Sequence, residues 1–121
     1  MEKILYTTTA VNEDGLTGVV YTKGNGDKDF SVTTSSPRSA EAGTNPEQLF
    51  ALAYATCLNA SIEFVEKRKK LEHKSKVEVK IDLTFDREGE GYLFHPSVRV
   101  VMPGRSEELA REILEAAERQ C

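Results

Sequence analysis

With 121 residues, 39% hydrophobic and 30% charged, 8 Gly and 4 Pro, the chain has the composition of one soluble globular domain, small enough that dimerisation would add useful burial. A formal net charge of −4 argues against nucleic acid and anionic membrane as partners, because either needs a basic face that releases phosphate counterions. The basic run Lys67-Arg68-Lys69-Lys70 reads as a solvated helix end, its cations placed to favour the C-terminal dipole. The N-terminus turns polar at once and no stretch approaches the roughly 18 apolar residues of a membrane span, so a cytoplasmic location is the expectation.

In chain order, residues 3 to 9 are rich in β-formers and run into the turn signal Asn12-Glu13-Asp14-Gly15. Two further strands fit residues 16 to 23 and 28 to 35, joined by Gly24-Asn25-Gly26-Asp27, so the chain opens as a β-meander. A polar connection follows from residue 36 to 45. Thr44 or Asn45 caps a long helix, Pro46 suits its first position and Glu47 lies in its first turn. That helix is expected to run for about 26 residues, or roughly 39 Å, buried all round from Leu49 to Leu58 and emerging into solvent from Glu63 to Lys70.

Residues 76 to 86 alternate apolar and polar with a period of two, which is the pattern of a half-buried antiparallel strand. Glu88-Gly89-Glu90-Gly91 turns the chain into a strand from Tyr92 to Met102, where Pro96 predicts an edge or a bulge. Ser106 caps a second helix, with Leu109, Ile113, Ala116, Ala117 and Gln120 on its inner face. The order is βββαββα, an α+β fold.

The chemistry rests on two cysteines 64 positions apart, Cys57 in the apolar helix and Cys121 at the end of the second. The arrangement suggests a thiol pair that the fold brings together, and in a reducing compartment such thiols serve reactivity more than stapling. A thiolate reduces a peroxide and passes its oxidised sulfur to a second thiol. Taken alone, Cys57 in a buried helix is a small hydrophobe, and Cys121 a residue at a frayed helix end. At mid-helix Cys57 gains nothing from an N-terminal dipole, so activation needs a nearby cation. Glu47 lies about 15 Å along the axis from Cys57, which excludes direct contact on a straight helix. His73 and His95 stand apart, with no metal-ligand spacing, and read as surface or strand-edge residues; Tyr54 reads as core.

The run Gly43-Thr44-Asn45-Pro46-Glu47-Gln48-Leu49-Phe50-Ala51, followed by Ala55-Thr56-Cys57, resembles the defining segment of the OsmC/Ohr family, the osmotically inducible and organic hydroperoxide resistance proteins. Leu114 to Cys121 resembles that family's second cysteine helix, and Pro46-Glu47-Gln48-Leu49-Phe50 brings the chain nearer the organic hydroperoxide branch. The resemblance implies one domain over residues 1–121, with antiparallel sheets around long central helices in an intertwined homodimer. It also implies a cytoplasmic, dithiol-dependent thiol peroxidase with no metal, haem or flavin cofactor. Cys57 would attack an organic hydroperoxide and become a sulfenic acid, and Cys121 would resolve it to a disulfide. A dithiol reductant, in this branch a lipoylated protein, would reduce that disulfide.

Glu47 would orient a catalytic arginine. Relatives carry that arginine in the turn after the first strand, which here reads Val11-Asn12-Glu13-Asp14-Gly15, so Arg38 becomes its substitute. Relatives also continue past the second cysteine into a final strand, which this sequence lacks. Two other readings stand beside the peroxidase, a noncatalytic OsmC-like binding or structural dimer and a redox sensor.

Overall fold

A computed structural model describes residues 2–121, which divide into two compact units, one ending at Pro46 and the other spanning Glu47–Cys121. The first unit holds β1 (Thr9–Asn12), β2 (Val19–Lys23) and β3 (Ser31–Thr33), paired antiparallel in the order β1-β2-β3. The second holds α1 (Pro46–Arg68), β4 (Lys76–Phe85), β5 (Tyr92–Val101) and α2 (Glu107–Glu118). The order βββαββα is as the sequence predicts, with a short 3-10 turn at Gly26–Lys28 added between β2 and β3.

The meander is displaced from its expected bounds. β1 begins at Thr9 and not at Lys3, because its ladder with β2 runs only from Thr9↔Lys23 to Asn12↔Val20 and residues 2 to 8 pair with no strand among the described residues. β-propensity without a ladder does not make a strand. β2 loses its first three expected residues to the turn, where the Thr17 amide and hydroxyl both donate to the Asp14 carbonyl and Asn12 exchanges two hydrogen bonds with Gly15. After β3, the connection to α1 folds back on its own start. Thr34 and Thr44 form a parallel bridge, with Ser35 N donating to Thr44 O and Thr44 N to Thr33 O, both at 2.8 Å. Gly43 permits this approach. Its φ is +149°, and a Cβ there would stand 2.9 Å from the Thr34 carbonyl carbon.

α1 spans 23 residues, about 35 Å, and ends where Lys70 turns into the left-handed region at φ 60° and the Leu71 amide returns to the Glu66 carbonyl. Its burial reverses the expectation. The core is Leu58, Ile62 and Val65 of α1 against Ile113 and Ala117 of α2, all on the C-terminal half of α1. On the N-terminal half Phe50 is 41% exposed and Leu52 63%. Apolar composition encircles that half, but α2 packs on the other, and the pattern of α1 alone does not say which end meets a helix. By length and composition α1 is also apolar enough to cross a membrane, against the sequence-based expectation. In this fold its Leu58–Val65 side packs on α2.

β4 and β5 pair in an unbroken register from Lys76↔Val101 to Phe85↔Tyr92. Val77, Val79, Ile81 and Leu83 are half-buried while Lys76, Glu78, Lys80 and Asp82 are exposed, as the alternation predicts, but it fails at the strand end, where Phe85 is exposed and Asp86 half-buried. Pro96 pairs with Ile81 without a bulge, and among the described residues β5 has no neighbour on its other side that would need the missing N–H. In α2 the Ser106 side chain accepts from Leu109 N, confirming the cap. Leu109 and Ala116 pack against the core, whereas Gln120 lies beyond the helix end and is exposed, so it leaves the predicted inner face.

A charge sits inside this apolar packing. Glu66 is fully buried, one carboxylate oxygen 2.7 Å from His73 Nδ1 and the other accepting from Ser75 Oγ at 2.9 Å and from the Arg105 guanidinium at 3.3 Å. Arg105 also donates to the Glu72 carbonyl. Burial alone pushes the Glu66 carboxyl up, but the hydrogen bonds from His73, Ser75 and Arg105 and the charge on His73 outweigh it and hold the group below its ordinary 4.5. A carboxyl lowered by folding stabilises the fold fully above the unfolded value and loses that contribution as pH falls through the folded one. Glu66→Gln is therefore expected to cost about 2–4 kcal/mol at neutral pH, because it leaves the Arg105 guanidinium buried and unpaired. Chemical denaturation from pH 7 to pH 3 should show a stability gap that closes below pH 4.5. A gap independent of pH would show that shape, and not charge, accounts for the loss.

Candidate active site

The packing of α1 on α2 sets two sulfurs side by side. Cys57 directly precedes Leu58, the first fully buried residue of α1, and Cys121 lies three residues past the end of α2. Their Cα atoms are 5.9 Å apart, inside the range a disulfide spans, and the two are joined as a disulfide in the structure. Cys57 is exposed, which corrects the expectation of a thiol inside a buried helix, and Cys121 is exposed as well. Both residues therefore lie at the surface of the chain.

On the face of α1 turned away from Cys57, against β4, is an open groove of about 520 Å³, lined by Gln48, Ala51, Leu52, Ala55, Thr56 and Val79 and chiefly apolar. Phe50 stacks on Tyr54 at 6.1 Å between ring centroids and tilts against Phe94 of β5 at 5.3 Å. Phe50 and Tyr54, seven and three residues before Cys57, share its face of α1, and such ring contacts hold that apolar surface in shape although it is open to solvent. Tyr54 packs against the core, as expected.

Glu47 is half-buried in the first turn of α1, and its Oε2 is buried with no hydrogen-bond partner among the described residues. An orphaned carboxylate oxygen costs on the order of 1–3 kcal/mol, so it marks a place suited to a donor. Arg38 belongs to the first unit, in the connection before α1, where its backbone N–H donates to Ser36 Oγ. In the turn between β1 and β2, Glu13 accepts a hydrogen bond from the Tyr21 hydroxyl at 3.3 Å, and its negative charge raises the phenol's pKa. A carboxylate here would oppose a thiolate, not steady one.

The histidines are engaged elsewhere, His73 with Glu66 and His95 Nε2 with Thr84 Oγ1 at 2.9 Å. The cluster of Glu66, His73, Ser75 and Arg105 is the polar centre that the sequence did not reveal. Its signal was a carboxylate at position 66, four residues after Ile62 and beside Val65, on the stripe that α2 covers.

The family model of OsmC-like proteins matches residues 38–121, and the chain belongs to that family. The organic hydroperoxide resistance protein OhrB of Bacillus subtilis is 30% identical over 118 residues, covering 97% of this chain and 86% of the relative. Its crystal structure superposes with a TM-score of 0.80 over 98% of this chain and 87% of that one. An organic hydroperoxide resistance protein-like relative from Staphylococcus saprophyticus is 33% identical over 123 residues, 96% of this chain and 83% of its own. A crystal structure from Lactobacillus casei is 37% identical with a TM-score of 0.86, over 98% of this chain and 80% of that one. Those likenesses establish the OsmC/Ohr fold for the α+β arrangement described above.

The disulfide closes a loop of 64 positions. In the chain-entropy account, a cross-link over that span restricts the unfolded ensemble by about 4 kcal/mol. Reduction with a dithiol, or Cys121→Ser, is expected to lower unfolding stability by up to that amount in urea melts of the oxidised and reduced protein. Equal stability of the two forms would mean that the helices hold the sulfurs together unaided.

Proposed function

We propose that the protein is a thiol peroxidase that reduces organic hydroperoxides to alcohols. The observation that carries this reading is the meeting of Cys57 and Cys121, exposed and joined. The Cys57 thiolate attacks the terminal oxygen of the hydroperoxide and the O–O bond breaks. The alkoxide leaves with a proton as the alcohol, and the sulfur becomes a sulfenic acid. The Cys121 thiol then attacks that sulfur, water departs, and the disulfide forms. A dithiol, such as the dihydrolipoyl group of a lipoylated protein, returns both cysteines to thiols.

An alkyl tail has apolar rings to lie on at Phe50 and Tyr54, seven and three residues before Cys57 and on its face of α1, whereas hydrogen peroxide would gain nothing from them. The thiolate needs a cation, and Arg38 is the residue proposed to supply it, with Glu47 as a positioning residue whose unpartnered Oε2 suits a guanidinium N–H. The names of the Bacillus and Staphylococcus relatives support the substrate class. We take residues 1–121 as one domain working in the cytoplasm as an intertwined homodimer. The exposed apolar half of α1 supports the dimer, since Leu52 and Phe50 have no cover within the chain that a second copy could not improve.

Intact mass of the reduced protein after one equivalent of cumene hydroperoxide tests the chemistry. A loss of about 2 Da that peptide mapping assigns to Cys57 and Cys121 is the expected product. Cys57→Ser should abolish peroxide consumption, while Cys121→Ser should consume one equivalent and stop at a sulfenic acid trapped by dimedone. Arg38→Ala should lower the second-order rate by about a hundredfold, the scale of one lost charge-assisted contact to the reacting group. An unchanged mass after long exposure would sink the peroxidase reading and leave a noncatalytic binding protein. Oxidation without turnover in the presence of dithiols would point to a redox sensor.

A further inference from the structure

The run Lys67 to Lys70 has no part in the peroxidase chemistry, and the fold does not leave it as a featureless helix end. Arg68 and Lys69 from that run meet Arg119 and Gln120, past the end of α2, around an open groove of about 400 Å³ floored by Val65 and Ala116. Lys69 Nζ is paired with Glu112 at 3.0 Å, and Arg68 lies over the Phe64 ring at 5.7 Å. Among the described residues neither Arg68 nor Arg119 forms an ion pair. In a chain of net charge −4, two guanidinia without carboxylates on one concave wall are a local positive patch against the overall sign. Gln120 both lines this groove and precedes Cys121, so the patch borders the disulfide. Along α1, Val65 is eight residues from Cys57, about 12 Å.

We infer that this groove docks an acidic protein surface that carries the dithiol reducing the Cys57–Cys121 disulfide, an inference that rests on the peroxidase reading above. A small neutral dithiol reaches an exposed disulfide by diffusion. A carrier protein must also be steered and held with its dithiol at Cys121, and carboxylates on Arg119, two residues before Cys121, and on Arg68, eleven residues or about 16 Å along α1 from Cys57, do both. A compact acidic patch needs only the groove, whereas a nucleic acid would extend over a chain whose net charge repels it.

One carrier thiol loses its proton and attacks Cys121 Sγ, the bond to Cys57 breaks, and Cys57 leaves as a thiolate that takes up a proton. The carrier's second thiol loses its proton and attacks the carrier sulfur of the mixed disulfide, releasing Cys121, which is protonated in turn. Two electrons and two protons pass to the protein, and the carrier is left as its internal disulfide.

Reduction of the oxidised protein is followed by its gain of about 2 Da with two donors of the same dithiol chemistry, neutral dihydrolipoamide and a reduced lipoyl domain of acidic surface. The double variant Arg68→Glu, Arg119→Glu is expected to slow the lipoyl domain about tenfold or more and leave dihydrolipoamide within about twofold, the latter also reporting an intact disulfide site. Salt at about 0.5 M should remove most of the wild-type advantage of the domain. The milder pair Arg68→Ala, Arg119→Ala should give an intermediate loss. Equal rates of wild type and variants with the domain, or equal slowing of both donors, overturns the proposal. So does duplex DNA binding that the double variant abolishes while the domain rate stays unchanged. Formation of the disulfide by cumene hydroperoxide is scored separately: if it forms and the domain shows no charge dependence, the peroxidase reading stands and the docking groove falls. If peroxide leaves the thiols untouched, the peroxidase reading falls whatever the domain does.

Discussion

The structure of the second unit depends on one contact, the antiparallel packing of α2 on the C-terminal half of α1. Ile113 and Ala117 are fully buried against Leu58, Ile62 and Val65. Shifting α2 by one turn would move its contacts by about 5.4 Å, and the consequences would be felt at both ends. At one end Lys69 pairs with Glu112; at the other Cys57 meets Cys121. Five small and branched side chains therefore decide whether two sulfurs 64 positions apart lie within bonding reach. The fold does by packing what local sequence cannot do by spacing.

The polar cluster under the same helix end makes that packing selective. Glu66 shares a face with Val65 and Ile62, and its charge is satisfied from three directions by His73, Ser75 and Arg105. These partners come from the segment after α1 and from the residue before the cap of α2. One buried carboxylate thus fixes where α1 ends, how the chain enters β4 and where α2 starts. Such a cluster is not a strong net source of stability, since burying the charge offsets much of what its hydrogen bonds return. Its value is geometric, because the segments that carry His73, Ser75 and Arg105 must all meet the end of α1 to supply its partners.

Legibility followed the locality of the signal. The β4 alternation, the Ser106 cap and Pro46 at the helix start are local, and the structure has each where the sequence predicts it. The first strand was misplaced because Ile4, Leu5 and Tyr6 carry β-propensity while the ladder that makes a strand depends on β2, whose register stops at Thr9. The buried end of α1 was misjudged for a related reason. Leu49 to Leu58 is the more apolar half, but burial is a property of the partner, and α2 lies on the other half. That the two cysteines form a pair was suggested by their being the only two in the sequence, but their roles came from resemblance, since nothing local to residue 57 or 121 points to the other. Glu66 went unremarked because a carboxylate near a helix end is ordinarily a solvated one.

The position of Cys57 reconciles two demands that a reactive thiol makes on a fold. Reaction with a hydroperoxide requires access from solvent, and capture by a second thiol requires that both sulfurs be held within a narrow range of separations. Deep burial supplies the second and denies the first; a mobile loop does the reverse. Cys57 stands at the boundary on α1 where exposed apolar surface gives way to the core. It is exposed, and the next residue, Leu58, is 1% exposed. The backbone at the sulfur is thus clamped by the core one residue away while the side chain stays outside it. Cys121 has the corresponding place on α2, four residues after the fully buried Ala117. Each cysteine is anchored by a buried neighbour and presented by its own exposure, so the boundary between the two halves of α1 suits the reacting pair proposed above.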